Sequence, residues 1–188
     1  MGVISSLEKR RSIYGIGNKL PVGEDKVIEL VQKATELVPD AFNMKSSRVV
    51  LALGQKHVEL WDKINDYFQG KPKEKIDSFK KGAGTIYFFI DNDTVKSLQG
   101  KYAAYAQHFP VWANQASGML QISIWTALRD LDIGASLQHY IPPTTLIHDY
   151  FGISKEYQTV AMMPFGNIEA EREPKEKEDI SKRVVIAK

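Results

Sequence analysis

The ten residues AFNMKSSRVV, from Ala41 to Val50, set an amide, a cation and two hydroxyls directly ahead of an apolar, strand-like run. A loop that opens onto a buried strand holds Asn43, Lys45, Ser46 and Ser47 against a rigid floor, and binding groups concentrate on such loops. Asn43 carries a carboxamide that both donates and accepts, which suits the edge of a heteroaromatic ring. The same residue type also serves as a turn former or helix cap. Lys45 places a cation where it would stabilise a ring that gains negative charge; its plainer reading is an ordinary surface lysine.

Working outward, Arg48 to Leu53 reads as a buried strand, and Lys56 to Phe68 as an amphipathic helix with Val58, Trp61, Ile64 and Phe68 inward. Upstream, Val27, Ile28, Val31, Ala34, Leu37 and Val38 recur at helical spacing from Glu24 and Asp25 until Pro39 stops the run. Before that, an opening helix through Leu7 to about Arg11 leaves Arg10, Arg11 and Ser12 ahead of a turn at Gly15, Gly17 and Asn18. Downstream, the segment around Pro72 to Lys81 predicts a short exposed helix. Thr85 to Ile90, dense in aromatic and β-branched residues without polar alternation, predicts a strand covered on both faces. Val111 to Arg129 carries the longest helical pattern; Ile133 to Leu137 predicts a strand, Pro142 to Tyr150 a helix and Tyr157 to Met163 another strand. From Glu169 to Arg183 six acids and five bases leave too little apolar material to build core, yet Val184 to Ile186 is β-prone. A polar arm ending in such a patch is able to cross a neighbouring surface and add an edge strand there; it also reads as a frayed tail.

Composition removes several classes of function. The 188 residues are 43% hydrophobic and 26% charged, enough apolar material for one core and no demand for a second domain. A net charge of +2, from 25 basic and 23 acidic residues spread along the chain, provides no basic field for nucleic acid. Cysteine is absent, so disulfides, thiolate nucleophiles and iron–sulfur ligation are excluded, and redox chemistry would need a bound cofactor. No apolar run reaches the ~20 residues of a membrane span and no signal-peptide core stands at the N-terminus, so the expectation is a cytoplasmic protein without a membrane partner.

Three further motifs carry chemistry. Arg10, Arg11 and Ser12 offer guanidinium forks and a hydroxyl to a phosphate, or else form a solvated surface pair. GASLQHY, from Gly134 to Tyr140, ends a strand with polar groups, so Gln138 and His139 are able to face a ligand while Gly134 leaves the backbone room. The four histidines show no metal spacing, Ser136 lies in no nucleophile elbow, and Leu20 stands where a dinucleotide fingerprint needs glycine.

Taken together, the Arg10–Ser12 tripeptide, the Ala41 stretch, SGMLQ at Ser117 to Gln121, GASLQHY and MPFG at Met163 to Gly166 resemble the FMN-dependent nitroreductase family. The likeness is nearest to its compact, stand-alone branch of bacteria and yeasts and spans nearly the whole chain. The resemblance implies an α+β fold, with a central, mostly antiparallel sheet flanked by helices. Residues 1–188 would form one domain whose arm, 169–188, packs on the partner of a tight homodimer. One FMN would lie in each of two interface clefts. Carried over by motif, Arg10, Arg11 and Ser12 would hold phosphate and ribityl, Asn43 and Lys45 the flavin, and Gln138 and His139 would stand near its ring. A basic residue of the arm would join the phosphate; Lys175 fits, with Arg172 and Lys177 close by. Two positions depart from the broader pattern: Lys45 stands where glutamine is commonest, and Tyr14, beside the phosphate contacts, where a second arginine or similar polar residue is common. The implied activity is NAD(P)H oxidation coupled, in alternating half-reactions, to reduction of nitroaromatic or quinone-like acceptors, with no obligatory catalytic side chain and no metal. The alternative is a flavin-binding regulatory or stress-signalling module with little turnover.

Overall fold

The computed structural model describes residues 2–139, 144–176 and 178–188. Helix α1 (Val3–Lys9) leads into strand β1 (Gly15–Gly17), helix α2 (Glu24–Leu37), strand β2 (Ser47–Leu53), helices α3 (Gly54–Tyr67) and α4 (Lys73–Lys80) and strand β3 (Gly84–Asp91). Then come α5 (Asn92–Lys101), the long α6 (Phe109–Asp130), β4 (Ile133–Ala135), α7 (Thr144–Phe151) and β5 (Tyr157–Ala170). The strands pair antiparallel in the order β1-β5-β3-β2, with β4 also paired to β5, so the expected α+β architecture is what forms.

All eight residues of β3 are buried, as its unbroken apolar run requires. Strand alternation points them to opposite faces of the sheet, Ile90 at the end packing with Met44, Val95, Phe109 and Ala113. Ile86 and Phe88 pack with Val27 and Val31 of α2 and Leu120, Ile124 and Leu128 of α6. Tyr87 and Phe89 pack on the opposite face with Leu60, Trp61 and Ile64 of α3, Ile76 and Phe79 of α4 and Ile147 of α7. The sheet is thus the middle of three layers. A buried polar chain crosses the second core: Trp61 Nε1 donates to Thr85 Oγ1 at 3.0 Å, Thr85 Oγ1 lies 3.0 Å from His57 Nδ1, and His57 Nε2 lies 3.2 Å from the Lys80 carbonyl. A carbonyl only accepts, so Nε2 carries the proton and Nδ1 takes the Thr85 hydroxyl.

Several expectations need correction. Gly15 to Gly17 is a strand rather than a turn, since its backbone pairs with Asn167, Ile168 and Ala170. That pairing lengthens β5 to Ala170, so Glu169 and Ala170 belong to the sheet and the arm begins after them. β4 stops at Ala135, two residues before the expected end. Helix α4 is not simply exposed, because Ile76 and Phe79 are buried. Leu37, expected inward, is 64% exposed at the end of α2. Helix α5 lies where no element was expected; Asp91 starts it by accepting from the amides of Asp93 and Thr94 at 3.1 and 3.3 Å, and Val95 and Leu98 pack it on Ile90, Phe109 and Ala113. The expected helix start at Pro142, Tyr140 of GASLQHY and the alternative phosphate residue Lys177 lie outside the described residues.

Gly166 is the tightest backbone approach in the sheet: a Cβ there would stand 1.9 Å from the Gly17 carbonyl oxygen.

Candidate functional site

The loop between α2 and β2 carries the first group of candidate residues. A 3-10 turn at Ala41–Asn43 puts Phe42, Asn43 and then Lys45 at φ values of 57°, 50° and 54°. Bulky L-residues adopt that left-handed conformation only under constraint, and such strain concentrates at functional sites. Phe42 is held by aromatic packing: it stacks on Trp112 at 5.5 Å between centroids, meets Phe109 edge-on at 5.4 Å and leans on Tyr102 at 4.9 Å. Met44, between the strained residues, is buried. The loop and α6 together enclose a cavity of about 280 Å³, lined among others by Asp40, Asn43, Lys45, Arg48, Ala116 and Leu120. Its mixed character, with apolar Ala116 and Leu120 of α6 on one wall and the Asn43 amide, the cations Lys45 and Arg48 and the carboxylates Glu36 and Asp40 on the other, suits a planar polar ring.

A second cavity, of about 490 Å³, lies where the end of α1, the last turn of α6 and the start of the arm meet. Arg10, Arg11, Arg129, Arg172 and Lys175 line it, with Glu8 and Glu171 as the acidic members. Arg10 lies over the Trp125 indole at 4.2 Å, and its Nε is buried without a hydrogen-bond partner among the described residues. Burial, and after it the neighbouring Arg11 charge, lowers the Arg10 pKa from its ordinary value. Arg129 pairs with Glu171 at 2.9 Å and donates to the Lys9 carbonyl, and Arg11 donates to the Glu173 carbonyl. An excess of guanidinium charge with an unused buried donor is the arrangement an oxyanion completes.

The structure therefore gathers Arg10, Arg11 and Lys175, and Asn43 with Lys45, but in two separate cavities. Ser12 is not among the residues lining the cationic one; it forms a bridge with Ala135, next to which Ile13 N donates to Ala135 O at 3.0 Å. Tyr14 lines a different cavity and carries the Arg172 guanidinium over its ring at 4.8 Å. Gln138 is buried, exchanges backbone hydrogen bonds with Met162 and donates its amide to Ser136 Oγ at 3.1 Å, while His139 is exposed. Neither lines either cavity in the single chain. Sequence reasoning missed Arg129, Trp125 and Asp40. Arg129 and Trp125 look like ordinary helix residues until α6 is packed against α1; the signal for Asp40 was its place one residue before the loop motif.

The profile of the nitroreductase family matches residues 7–167. The chain belongs to the nitroreductase family. Among its relatives, nitroreductase FRM2 of Saccharomyces cerevisiae is 35% identical over 141 residues, 73% of each chain. The solved structures of nitroreductase CinD from Lactococcus lactis, in complex with chloramphenicol and with 4-nitrophenol, are 37% identical over the full length of both chains, with TM-scores of 0.94 and 0.93. A nitroreductase-type protein from Exiguobacterium sibiricum, solved with FMN, shares the fold at 14% identity and a TM-score of 0.76, covering all of this chain and 98% of its own. Family membership supports an oxidoreductase enzyme with the nitroreductase fold.

Proposed function

We propose that this family member is an FMN-dependent NAD(P)H oxidoreductase that reduces nitroaromatic or quinone-like acceptors. The observation that carries the reading is the cationic cavity, in which Arg10, lying over Trp125, keeps a buried Nε without a partner among the described residues. A phosphate would complete that donor set, with Arg11 and Lys175 adding charge. Asn43 would hold the edge of the ring system and Lys45 would offer it a positive charge. FMN, when bound, supplies hydride transfer between NAD(P)H and the acceptor, which occupy the same face in alternation. The protein's part is to bind, orient and polarise. The aromatic ligands of CinD, chloramphenicol and 4-nitrophenol, support the acceptor class.

The same reading includes a homodimer. The ring and phosphate candidates fall in different cavities of one chain, and Gln138 and His139 in neither, which is what a site completed by a second subunit would leave on each half. Exposed apolar residues Val111, Met119 and Ile122 lie along α6, Val3 and Ile4 along α1, and the arm ends in exposed Val184 to Ile186. The outer edge of β2 is unpaired among the described residues, a place where a partner's arm would add a strand.

The deciding experiment is the anaerobic visible spectrum of the purified protein before and after NADH or NADPH. A flavin spectrum that bleaches is expected. A flavin that stays oxidised would favour a regulatory flavin module, and a colourless protein that takes up no added FMN would refute the cofactor assignment.

A further inference from the structure

The strained loop is held by a set of contacts that the functional reading leaves unused. Lys45, at φ 54°, has both of its backbone polar groups occupied: its amide donates to Asp40 Oδ2, and its carbonyl accepts from Arg48 Nη1 at 2.6 Å. Arg48 Nη1 also reaches the Ser47 carbonyl at 3.2 Å. The other side of the guanidinium is anchored. Arg48 Nη2 lies 2.7 Å from Asp91 Oδ2, and Nε donates to the Tyr157 hydroxyl at 3.3 Å. Asp91 is in turn fixed, since it is buried, caps α5, accepts from the Thr94 hydroxyl at 2.9 Å and donates its own amide to the Ser46 carbonyl at 2.8 Å. The chain of contacts runs from the rigid end of β3, through Arg48, to the backbone of one exposed lysine.

We propose that Arg48, anchored by Asp91 and Tyr157, is a positioning residue for Lys45: together with Asp40 it clamps the lysine backbone in the left-handed conformation and so fixes the root from which the ammonium group enters the cavity. The role rests on the FMN reading above. Arg48 lines the cavity too, yet its charge is matched by the Asp91 carboxylate and its two Nη atoms are committed to Asp91 and to carbonyls. Its influence on a bound flavin therefore passes through Lys45, an exposed lysine whose amine has no ion-pair partner among the described residues. A fixed cation beside a ring that becomes anionic on reduction stabilises the reduced form and raises the reduction potential. A loosened loop lets the lysine spend its time in solvent, and that stabilisation falls.

The test uses Arg48→Gln, Arg48→Lys and Asp91→Asn, each in the native background and combined with Lys45→Ala. In protein stripped of FMN, Arg48→Gln should speed hydrogen exchange at the Lys45 amide by about tenfold or more while Leu120 and Ile124 of α6 keep their protection. In the FMN-loaded protein, Arg48→Gln should lower the flavin midpoint potential, and lower it no further once Lys45 is alanine. Arg48→Lys should rescue only part of both effects, because an ammonium cannot fork between a carboxylate and two carbonyls. Should Arg48→Gln fail to fold, Asp91→Asn, which keeps an acceptor for the α5 cap, should move both readouts in the same direction by less. Unchanged Lys45 exchange would overturn the clamp. An equal potential shift in the Lys45→Ala background would overturn the route through Lys45. A wild-type protein that takes up no FMN would instead remove the functional reading and this role with it, and the exchange data from flavin-free protein tell that failure apart from a missing clamp.

Discussion

His57 makes the stability of this fold depend on pH in a calculable way. The imidazole is 1% exposed, accepts from Thr85 at Nδ1 and donates to the Lys80 carbonyl at Nε2, so only the neutral ring satisfies the chain that begins at Trp61. Burial is the main cause that takes its pKa from 6.5 down to about 4; the hydrogen bonds to the Lys80 and Phe79 carbonyls oppose the shift without cancelling it. Between those two values the unfolded chain binds a proton that the folded chain refuses. Stability is therefore fully present above pH 6.5 and falls as the pH drops toward 4. Integrating that proton-binding difference from pH 8 gives a loss of about 2 kcal/mol at pH 5 and about 3 kcal/mol at pH 4. At a urea m-value of about 2 kcal/mol/M, the loss at pH 5 lowers the unfolding midpoint by roughly 1 M. The assay is urea unfolding at pH 8, 7, 6 and 5, at fixed protein concentration and flavin content, for wild type and His57→Gln. Carboxylates titrate in both proteins, so the difference between the two curves isolates the histidine. His57→Gln should be less stable at pH 8 and should lose less on acidification. Parallel curves from pH 8 to 5 would refute the reasoning, because they would mean that His57 takes up a proton as readily folded as unfolded.

Four further outcomes are expected. Gly166→Ala drives a methyl into the Gly17 carbonyl and should cost at least about 3 kcal/mol or prevent folding, whereas Gly100→Ala, in α5 with nothing within 4 Å, should stabilise by about 0.5 kcal/mol; thermal unfolding compares the two. Arg10→Ala removes the stacked guanidinium and should weaken FMN binding by about tenfold to a hundredfold in a flavin-fluorescence titration, as the loss of a charge-assisted contact predicts, and Arg10→Lys should recover little of it; an unchanged Kd would count against the phosphate assignment. Lys45→Ala should slow flavin reduction by NAD(P)H in stopped flow while FMN stays bound, and an unchanged rate would remove the role given to that charge. Deleting residues 184–188 should shift the protein toward monomer in sedimentation velocity if the arm adds a strand to a second copy.

Much of this fold was legible along the chain. The unbroken apolar run at Thr85 to Ile90 specified a strand covered on both faces, the spacing of Val27, Val31 and Ala34 specified α2, and the long helical pattern of Val111 to Arg129 specified α6, because each pattern records which sides of a local element are shielded from water. The polar loop ahead of β2 was legible as a loop, because Asn43, Lys45, Ser46 and Ser47 bunch directly before an apolar run, whereas the left-handed backbone at Phe42, Asn43 and Lys45 left no mark in the sequence. Short β1 escaped, since three residues carry no period and only the backbone of β5 makes them a strand. Helix α5 escaped because its apolar face is only Val95 and Leu98, too short a pattern to read, and the Asp91 carboxylate sets where it starts.

The sequence by itself determined the family, the sheet and helix classes, the absence of thiol chemistry and the basic residues available to an anion. Tertiary structure alone decided which of those residues meet. Arg10 and Lys175 are far apart in sequence, Arg10 finds Trp125 only when α1 packs on α6, and the Lys45 backbone is held by Asp40 and by an arginine anchored on the end of β3. The reason is one of range: periodicity reports the environment of neighbours along the chain, whereas a site built from distant segments depends on the faces that packing brings together.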